Sequence, residues 1–217
     1  MPDFDAARRH MVDSQLKPNQ VLEGRVSQAM AEVPREAFLP EALADVAYVD
    51  EDLPIAPGRY LMEPMVFARL LQAAAIEPDD VVLDLGCGTG YSTAVLARLA
   101  ATVVAVEPDP DLRERAIQAM ARMGADNTAI VDGDLGAGTP GHGPYNAIIL
   151  NGAAEEIPDG LRNQLADGGR LVAVQVQNRV GKAMVIERYG DVFGTRELFD
   201  AATPLLPGFT SQQGFVF

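Results

Sequence analysis

The sequence holds one cysteine, Cys87, and two histidines, His10 and His142, in 217 residues. A lone thiol forms no internal disulfide, and these imidazoles offer no zinc-ligand spacing, so neither a disulfide framework nor a metal enzyme is expected. Basic residues are also scarce: 17 Lys and Arg stand against 31 Asp and Glu, a formal net charge of −14. The resulting anionic field repels phosphate backbones and argues against nucleic acid as a partner. No stretch approaches the roughly 18 uninterrupted apolar residues of a membrane helix. The opening MPDFDAARRH lacks the apolar core of a secretion signal. A cytoplasmic protein without membrane contact is the expectation.

What is present is ordinary globular material, 48% hydrophobic and 22% charged, enough to bury a core. The length suits a single domain spanning 1–217, with an extension over 1–63 and an α/β core over 64–217. From Asp5 to about Val33, the spacing of Met11, Leu16, Val21, Leu22, Val26 and Met30 predicts helices, interrupted near Lys17-Pro18. The segment from Pro34 to Gly58 carries Pro34, Pro40, Pro54 and Pro57, too many breakers for a long element, and reads as a connection hugging the surface. Pro64 then opens an apolar helix, MVFARLLQAAAI.

From Val81 the pattern changes to short β-branched runs separated by helical stretches. Strands are predicted at Val81–Asp84, Thr102–Val106, Thr128–Val131, Ala147–Leu150, Gly169–Val176 and Ala183–Tyr189, with a weaker one at Gly214–Phe217. Helices are predicted over Tyr91–Ala100 and Asp109–Gly124. Runs such as VVAV and AIIL suit strands covered on both faces. This alternation implies a doubly wound, mostly parallel, seven-stranded α/β sheet of Rossmann-like type behind an N-terminal helical extension.

The strongest local signal is VVLDLGCGTGYSTAVLARLA, residues 81–100, in which a buried strand runs through Gly86, Gly88 and Gly90 into a helix. Such a turn lies at the carboxyl edge of the sheet, where open α/β sheets bind ligands. An ordinary strand-to-helix turn seldom requires three alternate glycines. The dinucleotide fingerprint G-x-G-x-x-G needs a small residue where Tyr91 stands, so the spacing tilts toward a cofactor without a diphosphate. Glu107 closes the strand TVVAVE, where a carboxylate can accept from both ribose hydroxyls of a nucleoside. Asp134 follows the next strand and reads either as an acceptor for the adenine amine or as a turn-forming aspartate. Asp84 precedes the glycines and could orient the loop or an ammonium group of the cofactor. His10 and His142 read as solvated, Cys87 as a small loop filler, and Met11, Met30, Met65, Met120 and Met123 as core.

DLGCGTG, Glu107 and the Gly133-Asp134 pair together resemble the class I S-adenosylmethionine-dependent methyltransferases. MVDSQL and RVSQAMAEVPREAFLPEALADVAYVDEDLPI narrow the resemblance to the protein-L-isoaspartate O-methyltransferases, over residues 11 to about 176. The resemblance implies S-adenosylmethionine as cofactor and S-adenosylhomocysteine as product. It places Asp84, Gly86, Cys87, Gly88, Gly90, Tyr91, Glu107, Pro108, Asp134 and Leu135 around the cofactor. It also implies a carboxylate acceptor on a protein, a peptide or a small molecule, with L-isoaspartyl residues of damaged proteins as the family's substrate.

The chain departs from that family at the substrate segment. Where the family has the form G-Q-T-I-S-Q-P, this chain has Gly58-Arg59-Tyr60-Leu61-Met62-Glu63-Pro64, which puts Met62 in place of the serine. A thioether cannot replace a hydroxyl's hydrogen bonding. Arg59 and Tyr60 are expected to hold an anionic acceptor, since Arg suits bidentate carboxylate recognition; Glu63 could instead favour a cationic one. Two alternatives stand beside isoaspartyl methylation: a methyltransferase with another acceptor, and a cofactor-binding regulatory protein that transfers nothing.

Overall fold

The structure, a computed structural model, describes residues 2–22 and 24–211. Helix α1 (Phe4–Met11) begins at Asp3, whose carboxylate accepts from the Ala6 N–H at 2.9 Å, a conventional N-cap. The chain runs through an irregular helical stretch to Asn19, then forms α2 (Arg25–Glu32). The expected break at Lys17-Pro18 falls inside that stretch. Met11, Leu16 and Met30 are fully buried.

The proline-rich segment departs from the surface connection expected of it. It forms two short 3-10 turns, Arg35–Phe38 and Glu41–Val46, and strand β1 (Leu53–Ala56), which pairs antiparallel with β2 (Arg59–Leu61). Phe38, Leu39, Ala47, Leu53, Ile55 and Leu61 are buried in the core. The prolines preclude a long element, yet a two-strand hairpin needs only three or four residues a side, and alternation sends Leu53, Ile55, Arg59 and Leu61 inward while Pro54 and Tyr60 face out.

Among the described residues, Arg35 is the largest fully buried side chain. Its Nε donates to the Ala47 carbonyl and its Nη2 to the Met62 carbonyl, both at 2.7 Å. Its guanidinium carbon lies 5.1 Å from the Tyr91 ring centroid. Burial pulls its pKa below the usual arginine value, partly offset by Tyr91. Arg35 thus ties the turns after α2 to the chain leaving the hairpin.

Pro64 opens α3 (Pro64–Ala74) at its first turn. The core then alternates β3 (Val81–Leu85), α4 (Tyr91–Leu96), β4 (Thr102–Val106), α5 (Pro110–Met123), β5 (Thr128–Val131), β6 (Tyr145–Ala154), α6 (Asp159–Arg162), β7 (Leu165–Gln177), β8 (Val180–Tyr189) and β9 (Val192–Asp200). The seven-stranded sheet has the order β5-β4-β3-β6-β7-β8-β9. Its first four pairings are parallel, and the last two, β7 with β8 and β8 with β9, are antiparallel. Helix α5 shows how local chemistry sets limits: Asp109 caps its first turn by accepting from Asp111 and Leu112, and Gly124 ends it in a left-handed conformation.

Two expectations shift. The helix predicted over Tyr91–Ala100 ends at Leu96, after which i→i+3 bonds from Arg98 and Leu99 tighten the chain into turns. The seventh strand is Val192–Asp200, while Gly214–Phe217 lies outside the described residues. Strand β9 carries Gly194, Arg196 and Glu197 and is mostly exposed, so no buried face marked it in the sequence; pairing with β8 holds it. Among the described residues, no helix is long and apolar enough to cross a membrane.

Candidate functional site

The sheet order reverses at β3, which has β4 on one side and β6 on the other. The crevice beyond the carboxyl ends of these strands is where such sheets take ligands. Three chain segments meet there: the glycine bend after β3, the end of β4, and the end of β6.

Asp84, the fourth residue of β3, is completely buried. Its carboxylate accepts from Ser92 Oγ at 2.8 Å, Thr93 Oγ1 at 2.7 Å and Asn151 Nδ2 at 2.6 Å. Burial raises its pKa, and these three donors pull it back. Asn151 also donates to the Leu85 carbonyl at 3.0 Å, tying β6 to β3 at the rim. Asp84 therefore anchors the first turn of α4 and, through it, the bend. Ser92 and Thr93 escaped the sequence reading, although both stand at the helix start that the glycines announce.

The bend is shaped by glycine geometry. Gly86 has φ +72° and Gly88 φ +59°, conformations costly for any side chain. Gly86 N–H donates to the Val106 carbonyl at 2.9 Å, and Gly90 N–H to the Cys87 carbonyl at 2.9 Å. Gly88 N–H donates to Glu107 Oε2 at 2.7 Å. Bend and acid thus form one hydrogen-bonded unit.

Glu107 is 0% exposed and Arg59, from β2, is 7% exposed. The two meet in a bidentate ion pair, Arg59 Nη1 to Glu107 Oε1 at 2.6 Å and Nη2 to Oε2 at 2.7 Å. Asp109 N–H adds a fourth hydrogen bond, to Oε1 at 3.1 Å. A carboxylate offers about four lone-pair positions, and here each is taken. Arg59, expected to face an acceptor, is placed instead on the acid expected to hold a ribose.

Other side chains also cover the bend. Ile55, from β1, lies against Gly88 so closely that a Cβ there would collide with its Cδ1. A Cβ on Gly86 would lie 2.8 Å from Leu206 Cδ1 and 3.4 Å from Arg59 Nη2. Leu206 belongs to a strap, residues 201–211, bound to the end of β6: Ala153 donates to the Pro204 carbonyl at 2.8 Å, Leu206 donates to the Ala153 carbonyl at 2.8 Å, and Glu155 donates to the Phe209 carbonyl at 2.9 Å. Thr203 Oγ1 reaches Asp52 Oδ1 at 3.0 Å, and the same oxygen accepts from Glu63 N–H at 3.0 Å. The cavity left between hairpin and bend, lined by Ile55, Met62, Phe67, Gly86, Cys87 and Ser92 among others, measures about 10 Å³. Ligand pockets run to hundreds of cubic ångströms, so the hairpin leaves no ligand-sized space against this part of the bend, and Leu206 of the strap covers Gly86.

The other candidates fall on both sides of this closure. Met62 and Tyr60 both line the small cavity, Met62 buried and Tyr60 38% exposed. Cys87 is buried, and burial pushes its thiol pKa well up, which leaves it an inert filler. The Tyr91 ring packs between Phe38 and Phe67, at centroid distances of 5.6 and 5.8 Å. Pro108 and Asp134 are exposed and Leu135 is buried. Asp134 Oδ1 accepts from Ala137 N–H at 2.9 Å, a turn contact made by an exposed side chain. Burial with Asp52 and Asp50 nearby pushes the Glu63 pKa up to about 7. Among the described residues, no group of His, Cys, Asp and Glu could hold a metal, and both histidines are exposed.

A glycine bend at the switch point of a seven-stranded sheet, backed by an acid at the end of the neighbouring strand, defines a class I methyltransferase fold. The chain belongs to the protein-L-isoaspartate(D-aspartate) O-methyltransferase family, whose family model matches residues 6–198. A protein-L-isoaspartate O-methyltransferase of Roseiflexus sp. (strain RS-1) is 38% identical over 208 residues, covering 95% of this chain and 94% of its own. Protein-L-isoaspartate O-methyltransferase 2 of Anaeromyxobacter sp. (strain Fw109-5) is 42% identical over 168 residues, covering 77% and 69%. Among solved structures, a protein-L-isoaspartate O-methyltransferase aligns with a TM-score of 0.81 and 25% identity over 94% of this chain and 67% of its own. A Plasmodium falciparum chain assigned to the same family, solved with S-adenosyl-L-homocysteine, aligns with a TM-score of 0.80 and 21% identity over 93% and 98%.

Proposed function

We propose that this chain is an S-adenosylmethionine-dependent methyltransferase acting on a carboxylate of a protein or peptide, with the L-isoaspartyl group as first candidate. The observation that carries this reading is the unit formed by the bend and Glu107, joined through Gly88 N–H at 2.7 Å. Family membership and the names of its relatives support it.

The donor set suits an adenosyl cofactor in kind. Gly86, Gly88 and Gly90 present backbone without side chains, Glu107 with Pro108 would hold the ribose, and Asp134 with Leu135 would flank the adenine. Asp84, Cys87 and Tyr91 would act through the bend they shape, since three internal donors engage the buried Asp84 carboxylate and the Tyr91 ring is engaged in the core. The room is filled in this conformation by Arg59, Ile55 and Leu206.

Bound there, S-adenosylmethionine supplies a methyl group activated on a sulfonium. A carboxylate acceptor is ionised near neutral pH, so this chain needs to align it and exclude water rather than remove a proton. The exposed histidines and the inert Cys87 accord with that demand. Beside Met62, Glu63 with a pKa near 7 is partly protonated at neutral pH, and its acid form can donate a hydrogen bond to an anionic acceptor. The test is incubation with methyl-labelled S-adenosylmethionine and an isoaspartyl peptide beside its aspartyl twin. Base-labile label on the isoaspartyl peptide alone is expected; no label on either peptide rules out this acceptor.

A further inference from the structure

We propose that Arg59 is a built-in stopper: its guanidinium occupies the carboxylate that the adenosyl reading assigns to a ribose, so the β1–β2 hairpin holds the cofactor crevice shut from within. The inference rests on that reading and adds to it a self-competition that the departure at position 59 creates.

Three observations converge. First, Glu107 is saturated, with Arg59 supplying two of its four hydrogen bonds and backbone N–H groups of Gly88 and Asp109 the others. No ribose hydroxyl can bond to this acid until Arg59 leaves, whereas both backbone donors can stay. Second, the hairpin closes the site as a unit: Ile55 on β1 sits against Gly88 while Arg59 on β2 sits on Glu107 and beside Gly86. Third, the cavity left between the hairpin and the bend, beside Gly86, Cys87 and Ser92, is about 10 Å³, close to the minimum for a single water. A pair that is 0% and 7% exposed is little screened by salt, so the closed form persists across ordinary buffers.

Cofactor affinity then equals the intrinsic affinity reduced by the fraction of molecules with the hairpin open. Glutamine, the residue the family form carries at this position, keeps hydrogen-bonding capacity and removes the charge that grips Glu107. Arg59→Gln therefore raises the open fraction and tightens binding.

Calorimetric titration of the full chain with S-adenosylhomocysteine tests this. Arg59→Gln is expected to bind about tenfold tighter than wild type or better, as an open fraction of a tenth or less requires. Arg59→Lys, which retains the charge, is expected to stay near wild type. Adding Glu107→Gln to Arg59→Gln is expected to erase the gain. Wild type binding as tightly as Arg59→Gln, or more tightly, overturns the stopper and leaves the adenosyl reading standing. Absence of binding in wild type and in a folded Arg59→Gln overturns both. Should Arg59→Gln fail to fold, stopped-flow mixing of wild type with S-adenosylhomocysteine decides: an association rate that saturates with ligand reports the opening step, and a rate that rises linearly throughout contradicts it.

Discussion

Arg35 offers the sharpest test of how the extension is built into the core. In Arg35→Ala the Ala47 and Met62 carbonyls each lose a donor at 2.7 Å, and hydrogen bonds to a charged group contribute about 1.5–3 kcal/mol apiece. The cation–π contact at 5.1 Å from the Tyr91 ring is lost as well, worth up to about 2 kcal/mol when desolvated. Against these losses, the variant no longer buries a guanidinium whose hydrogen bonds go to carbonyls and not to a carboxylate, which returns a penalty of several kcal/mol. A net loss of about 2–4 kcal/mol results, or a fall in Tm of roughly 5–15 °C for a chain of this size. Urea unfolding followed by far-ultraviolet circular dichroism would measure it, with an unchanged m-value showing that the native fold is retained. Arg35→Lys is expected to recover less than half of the loss, because one ammonium cannot reproduce the fork that spans two carbonyls from distant segments. A loss below about 1 kcal/mol in Arg35→Ala would refute the reasoning, showing that desolvation cancels what the fork supplies.

Glu63 predicts a pH signature. Its folded pKa of about 7 lies above the ordinary 4.5, so the folded chain binds this proton more tightly than the unfolded one. The stabilisation is full below about pH 4.5 and is lost as pH rises through 7. Glu63→Gln should flatten that decline and exceed wild-type stability at pH 8 by about 1–2 kcal/mol, the value after discounting for partial exposure; equal urea midpoints for the two proteins at pH 5.5 and again at pH 8 would contradict it. Leu206→Ala removes a nearly buried side chain resting on Gly86 and Gly152, at an expected cost of about 2–4 kcal/mol. If the space above Gly86 takes the cofactor, S-adenosylhomocysteine should raise the Tm of this variant at least as much as that of wild type, and a smaller rise would make Leu206 part of the bound site.

The parallel half of the sheet was legible in the sequence because its strands are apolar on both faces and its turns carry glycines with a geometric task. The limits of β3, β4 and β5 fall within a residue of expectation for that reason. The proline-rich segment was not, since breaker counts report only that no long element forms and say nothing of Leu53 and Ile55 turning inward. Strand β9 was invisible because its residues face solvent and its order comes from a neighbour. At the site, local motifs located Gly88 and Glu107, which lie 19 positions apart and hydrogen-bond to each other. What lies on top of them comes from positions 55, 59 and 206, and long-range placement of a side chain leaves no periodic trace.

The carboxylate of Asp52 receives the chain leaving the hairpin, through Glu63, and the strap over the bend, through Thr203, on the same oxygen. One atom thereby pins both halves of the cover to a common point, although 151 positions separate Thr203 from Asp52. Neither half swings away without straining the fastening of the other, so the crevice should expose itself in a single concerted step, and lesions at Asp52 should loosen the two together.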